Sequence, residues 1–176
     1  MALIVTPGAP DADSYVDLDE YRLYCGNVGH DLDGKTDQEL EQALRRGTIW
    51  LDGTYGQRFI GEPATVEQSL EWPRKNALWR GALLPHVDIP RQVKSALCEA
   101  AWRETTTPGS LAPDYVGSEQ IKRLREKVGE LETETEYADS ASNPDNAAPI
   151  FSVIEGMLKG FVRGQSAAVF GIAVRA

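Results

Sequence analysis

Histidine and cysteine are nearly missing from this chain. Its 176 residues hold two of each: His30, His86, Cys25 and Cys98. A metal site needs several nitrogen or sulfur ligands at close spacing, and these four do not supply them. The two cysteines lie far apart in apolar, helix-like surroundings and read as reduced core thiols. No run of about 18 apolar residues is present, so no membrane-spanning helix is expected. The opening MALIVTPGAPDADSY lacks the basic lead and long apolar core of a secretory signal. There is no glycine-rich phosphate loop, no Gly-x-Ser-x-Gly elbow and no histidine-containing metal triad. The expectation is a protein without catalytic residues, metal or cofactor, and not an enzyme. HDLDGKTDQELE looks superficially like a calcium loop. With Gly34 at the sixth position, Gly29 falls at the first and Leu40 at the twelfth, and neither can donate a side-chain oxygen.

Positive charge is the second deficit. Eighteen Lys and Arg face 27 Asp and Glu, for a net charge of −9. Proteins that grip phosphates are usually basic on the gripping surface. The balance argues against a strongly basic nucleic-acid binder and leaves room only for a local patch.

What is there suits one globular domain: 41% hydrophobic and 26% charged residues. The expected architecture is mainly α, a small bundle of about four helices with one β-hairpin and extended N- and C-terminal arms. Residues 1–162 form the single domain and 163–176 the C-terminal arm. Pro7, Gly8 and Pro10 mark the first arm. Asp17 with Glu20 predicts a helix start, with Leu18, Tyr21 and Cys25 on one face and Gly26 as its stop. Thr36 with Glu39 predicts a capping box for a second helix, whose buried stripe is Leu40, Ala43, Leu44 and Leu51, with Gly47 and Gly53 weakening its second half. Residues 56–88 are broken by glycine and proline yet hold Phe59, Leu70, Trp72 and Trp79, so this loop must bury aromatics on something. Pro90 predicts the first position of a third helix, and Val93, Ala96, Leu97, Ala100 and Ala101 give it a face of small residues open to close approach.

ELETETEY, residues 130–137, alternates strictly, with Glu130, Glu132, Glu134 and Glu136 on one face. With Gly129 before it, it predicts the second arm of a hairpin, roughly 119–127 and 130–138. The first arm is basic through Lys122, Arg123, Arg125 and Lys127, and opposite charges across the strands favour the register. A two-stranded ribbon is marginal alone and needs another chain or helix to support it. After Pro149, residues Ile150, Val153, Ile154, Met157, Leu158 and Phe161 recur at helical spacing. The tail QSAAVFGIAVRA is apolar, with Val169, Phe170 and Ile172 suited to pairing with another subunit or partner.

MALIVTPGAPDADSYVDLDEYRLY, ALRRGTIWLDGTYGQRFIG, SLEWPR at 69–74, IPRQVK at 89–94 and EKVGELETETEYA occur in an order that carries a resemblance. Over roughly residues 1–165 the chain resembles a tailed-bacteriophage family labelled DnaT-like single-stranded DNA-binding protein, whose members look like head–tail connectors (adaptor or head-completion proteins). The resemblance implies a virion protein made in the host cytoplasm: a homo-oligomeric ring, commonly of twelve, docked under the portal protein. Duplex DNA would pass through its lumen without specific binding, and a stopper or tail component would dock below. On that reading Glu130, Glu132, Glu134 and Glu136 face the DNA channel. Ile150, Val153, Ile154, Met157, Leu158, Phe161, Val169, Phe170 and Ile172 contact the portal or a neighbouring subunit. Trp72, Pro73, Arg74 and Pro90 are structural anchors. The alternative is a single-stranded DNA-binding accessory protein, which would combine a basic groove with aromatic stacking platforms. The tryptophans beside prolines and apolar residues suggest packing instead.

Overall fold

The computed structural model describes residues 2–112, 124–128, 131–135 and 151–163. The fold is mainly α. Four helices, α1 (Leu18–Val28), α2 (Asp37–Tyr55), α3 (Arg91–Thr106) and α4 (Ser152–Leu158), are accompanied by six short strands in three antiparallel pairs. The strands are β1 (Glu62–Pro63) with β2 (Arg74–Lys75), β3 (Leu78–Trp79) with β4 (Ala82–Leu83), and β5 (Leu124–Val128) with β6 (Leu131–Thr135). Among the described residues no helix is long and apolar enough to cross a membrane.

The helix starts follow their local chemistry. Asp17 caps α1 by accepting the Glu20 N–H at 2.8 Å. Thr36 and Glu39 form the reciprocal capping box of α2. The stop of α1 differs from expectation. The helix runs through Gly26 and ends at Gly29, which takes the left-handed conformation (φ 79°) and returns its N–H to Cys25. Glycine inside a helix costs only about 1 kcal/mol, so the residue in the left-handed cap, not the first glycine met, sets the end.

Gly47 and Gly53 likewise leave α2 unbroken to Tyr55. Gly47 is buried against α3. A β-carbon there would lie 3.0 Å from Leu97 and 3.1 Å from the Ala101 backbone nitrogen. The glycine that weakens α2 as an isolated helix is what lets α3 approach it, and Ala96, Ala100 and Ala101 complete the seam at zero exposure. Pro90 stands one place outside α3, as its N-cap. Cys25 and Cys98 are buried free thiols, both held above the ordinary thiol pKa by burial.

The N-terminal segment has no regular secondary structure, and it folds back on itself. The Asp13 N–H donates to the Ile4 carbonyl, and the Asp13 carboxylate accepts the Ile4 N–H, each at 2.8 Å. The helix expected over residues 150–162 is shorter, Ser152–Leu158, and Ile150 lies outside the described residues. After it the chain turns, so that Phe161 enters the core and Val162 bridges to Phe59.

Candidate nucleic-acid interface

The SLEWPR stretch organises the irregular region between α2 and α3. Trp72 is 1% exposed and packs edge-on against Phe59 (5.6 Å) and Phe161 (6.1 Å). Its ring is therefore not available to stack on a base. Its backbone N–H donates to the Tyr15 hydroxyl, which donates in turn to Asp52 at 2.5 Å, while the Glu71 N–H donates to the other Asp52 oxygen. Burial pushes the Asp52 carboxyl up to about 6, although the Tyr15 and Glu71 hydrogen bonds pull it down. Arg74, 5% exposed, donates to the carbonyls of Ile60, Gly61 and Glu71 and to the Glu71 carboxylate. One guanidinium thus pins the β1–β2 turn region to the segment that follows α2. Gly61 sits at φ 73° with the Lys75 carbonyl 2.4 Å from where a β-carbon would be, so no other residue fits there. Trp72–Pro73 is a cis peptide.

That frame seats a cationic face. Trp79, on β3, stacks on Phe161 (centroids 5.2 Å apart, planes 24°) and lies over Gly160, where a β-carbon would meet Trp79 Nε1 at 2.7 Å. Arg80 and Gly81 make the two-residue turn to β4, both with positive φ (50° and 81°). That conformation is usual for glycine or asparagine and costly for arginine. It places the Arg80 guanidinium 4.3 Å from the Trp79 ring centre. Two backbone bonds, Ile60 N–H to Phe161 O and Arg163 N–H to Arg58 O, lay the end of α4's turn beside the end of α2. Arg58 and Arg163 are thus backbone neighbours, Lys159 stands next to Gly160 under the Trp79 ring, and Arg80 lies over that ring, although the four come from three separate stretches of chain.

Their charge is uncompensated. Arg22, Arg45, Arg46, Arg74, Lys75, Lys94 and Arg103 each pair with a carboxylate. Among the described residues outside β5, the Lys and Arg without an ion pair are these four together with Lys35 and Arg91. Arg58 leans over the Tyr55 ring at 5.6 Å, with its Nε buried and unpartnered. In a chain of net charge −9, Arg80 over the indole and three further cations without an ion pair on the adjoining backbone segments make this the candidate positive focus.

The residues singled out from sequence lie elsewhere or in other roles. Ile154, Leu158 and Phe161, assigned to a portal or subunit contact, are 0–1% exposed in the chain's own core. Met157 is half-buried, and Val153 alone of the described set is exposed, at 46%. Val169, Phe170 and Ile172 lie outside the described residues, as do Glu130 and Glu136. Glu132 and Glu134 are on β6, opposite Lys127 and Arg125. No local motif marks the cationic face: Arg58, Arg80, Lys159 and Arg163 are isolated in sequence. The available signal was the pairing of Trp79 with Arg80 inside an aromatic-rich loop.

A small, mainly helical domain, acidic overall and carrying a cation–aromatic pair of Arg80 on Trp79, is the class these observations define. The model of the family described as "Putative DnaT-like ssDNA binding protein" matches residues 1–176, and the chain belongs to that family. No curated protein and no solved structure matches it.

Proposed function

We propose that this protein binds single-stranded DNA on the Arg58–Arg80–Lys159–Arg163 face. The phosphates run along the four cations, and a base stacks on the Trp79–Arg80 pair. The observation that carries the reading is the Arg80 guanidinium over the partly buried Trp79 ring, with Arg58, Lys159 and Arg163, none of them in an ion pair, on the backbone segments beside it in an otherwise acidic chain. The family's description agrees with it. Single-strand binders use this combination because every base has a stacking face and every nucleotide a phosphate, so recognition is tolerant of sequence. Phe161 backs the indole from one side, so the base meets a rigid platform. The negative remainder of the surface confines the strand to this face.

Four phosphate contacts predict a slope of log K against log salt of roughly −3, which weakens binding by about fifty-fold between 50 and 200 mM salt. Fluorescence anisotropy with an oligothymidine at several salt concentrations measures it. Arg80→Ala with Arg163→Ala removes two contacts and should bring the slope to roughly −1.4. An unchanged slope in that variant, or no binding at the lowest salt, overturns the reading.

A second reading, a head–tail adaptor that rings the DNA channel under a phage portal, is favoured by one observation. The β5–β6 hairpin contacts no other described helix or strand, although a lone two-stranded ribbon is marginal in water. Sedimentation of the protein with purified portal should then show a co-migrating complex. Two separate boundaries would remove this reading and leave strand binding untouched.

A further inference from the structure

We infer that Arg80 is a lid on the Trp79 ring: an incoming base takes the place of its guanidinium, which moves off the indole and onto the strand's phosphate. The inference rests on strand binding at this face and states how a base reaches the platform. An indole has two faces, and here both are covered. Phe161 lies against one, with centroids 5.2 Å apart and planes at 24°. The Arg80 guanidinium carbon stands 4.3 Å from the Trp79 ring centre. A guanidinium between the two rings would need about 7 Å, two van der Waals contacts, so Arg80 covers the other face.

The two covers differ in how firmly they are held. Phe161 is buried and packs against Trp72 as well. Gly160 lies under the Nε1 edge of the ring, where a β-carbon would stand 2.7 Å away. Arg80 is exposed, and among the described residues it has no carboxylate partner. The inner cover is therefore fixed and the outer one is free to swing. The turn makes the choice of arginine pointed. Arg80 and Gly81 both have positive φ, and asparagine followed by glycine is the pair that such a turn favours. Asparagine would make the turn more readily and leave the ring bare. Arginine is costly at φ 50° and closes the ring. Stacking a base on an aromatic ring gains more than holding an exposed cation over it, so the exchange runs towards the base. The displaced guanidinium then finds the phosphate that arrives with the base and makes a charge-assisted contact with it. A base without a phosphate must uncover the ring with nothing to take up the cation.

The test compares thymidine, which carries no phosphate, with oligothymidine, both on the full chain. Thymidine is titrated against the Trp79 indole N–H resonance, identified by its loss in Trp79→Phe. Arg80→Asn removes the cover and suits the turn, so the variant keeps the hairpin. It should bind thymidine roughly two- to fivefold more tightly than wild type, which is the strength of an exposed cation–π contact written as a ratio. It should bind oligothymidine more weakly than wild type at low salt, with the slope of log K against log salt shallower by about 0.7. Opposite signs for the two ligands are the signature of a lid, and an arginine that only held the hairpin together would not give them. Thymidine binding that is unchanged or weaker in Arg80→Asn overturns the lid, while oligothymidine binding by wild type then keeps the strand-binding reading. An unchanged oligothymidine slope in Arg80→Asn overturns the lid too, because the guanidinium then never reaches a phosphate. Wild type that binds no oligothymidine at the lowest salt overturns the strand-binding reading and the lid with it.

Discussion

Trp72→Ala is expected to destabilise the protein by about 3–5 kcal/mol, as urea unfolding followed by circular dichroism would report. That is much of the roughly 5–15 kcal/mol that holds a domain together, so the variant should be largely unfolded or close to it. The size follows from position. The indole is 1% exposed and wedged between Phe59, which follows α2, and Phe161, which follows α4. Removing it opens a cavity at the one place where the start of the chain, through Tyr15, the end of α2, through Asp52, and the segment after α4 all meet. Trp72→Phe fills most of the volume and should lose clearly less. Functional loss should follow packing loss, because Phe161 is the floor on which Trp79 rests. Trp72→Ala should therefore bind oligothymidine poorly even at temperatures where helix content persists. A Trp72→Ala protein with wild-type stability would show that the cluster is not the keystone described here.

Much of the fold was legible because much of it is set by local chemistry. The caps at Asp17 and Thr36 are side chains that reach three residues along the chain, and they form as their spacing dictates. The hairpin followed from strict alternation across residues 130–137; β6 lies inside the expected 130–138, and β5 runs one residue past the expected 119–127, to Val128. What misled was information that is not local. Gly47 reads as a weak point in a helix, yet in the fold it is a contact surface, and only the partner Ala101 reveals that. The stripe Ile154, Leu158 and Phe161 reads equally well as a docking face or a core face, since periodicity gives direction but not the identity of the neighbour. It proved to be core. The cationic face was least legible. It depends on two backbone hydrogen bonds, Ile60 to Phe161 and Arg163 to Arg58, and on the Trp79–Phe161 stack, and no window of sequence contains these residues together.

Glu104→Ala is expected to cost about 3 kcal/mol and to remove part of the acid sensitivity of the fold. Glu104 is 2% exposed near the end of α3. Its carboxylate accepts the N–H groups of Gly109 and Leu111 and pairs with Arg46 at 2.7 Å. Arg46 is 43% exposed and can turn to water when its partner is gone. The Leu111 N–H, on a residue 3% exposed, cannot, and it dominates the loss. Burial alone would raise the Glu104 pKa, but the Gly109, Arg46 and Leu111 partners outweigh it and hold the carboxyl below its ordinary value of 4.5. A carboxyl depressed by folding stabilises the protein above its unfolded pKa, and that contribution is lost as pH falls through the folded one. Wild type should therefore weaken below about pH 4.5, with Glu99, held low in spite of its burial by His30, Arg103 and Tyr24, acting in the same direction. Asp52 acts oppositely. Its pKa rises on folding from 3.8 to about 6, so its contribution is present below about pH 4 and lost as pH climbs through about 6. The two slopes place the stability maximum between them, on the acidic side of neutrality. In a urea-unfolding series from about pH 3 to pH 8, Glu104→Ala should be weaker than wild type at neutral pH, converge towards it in acid, and keep the Asp52 slope. A constant gap between the two curves down to the lowest pH would mean that Glu104 acts through packing and not through its charge.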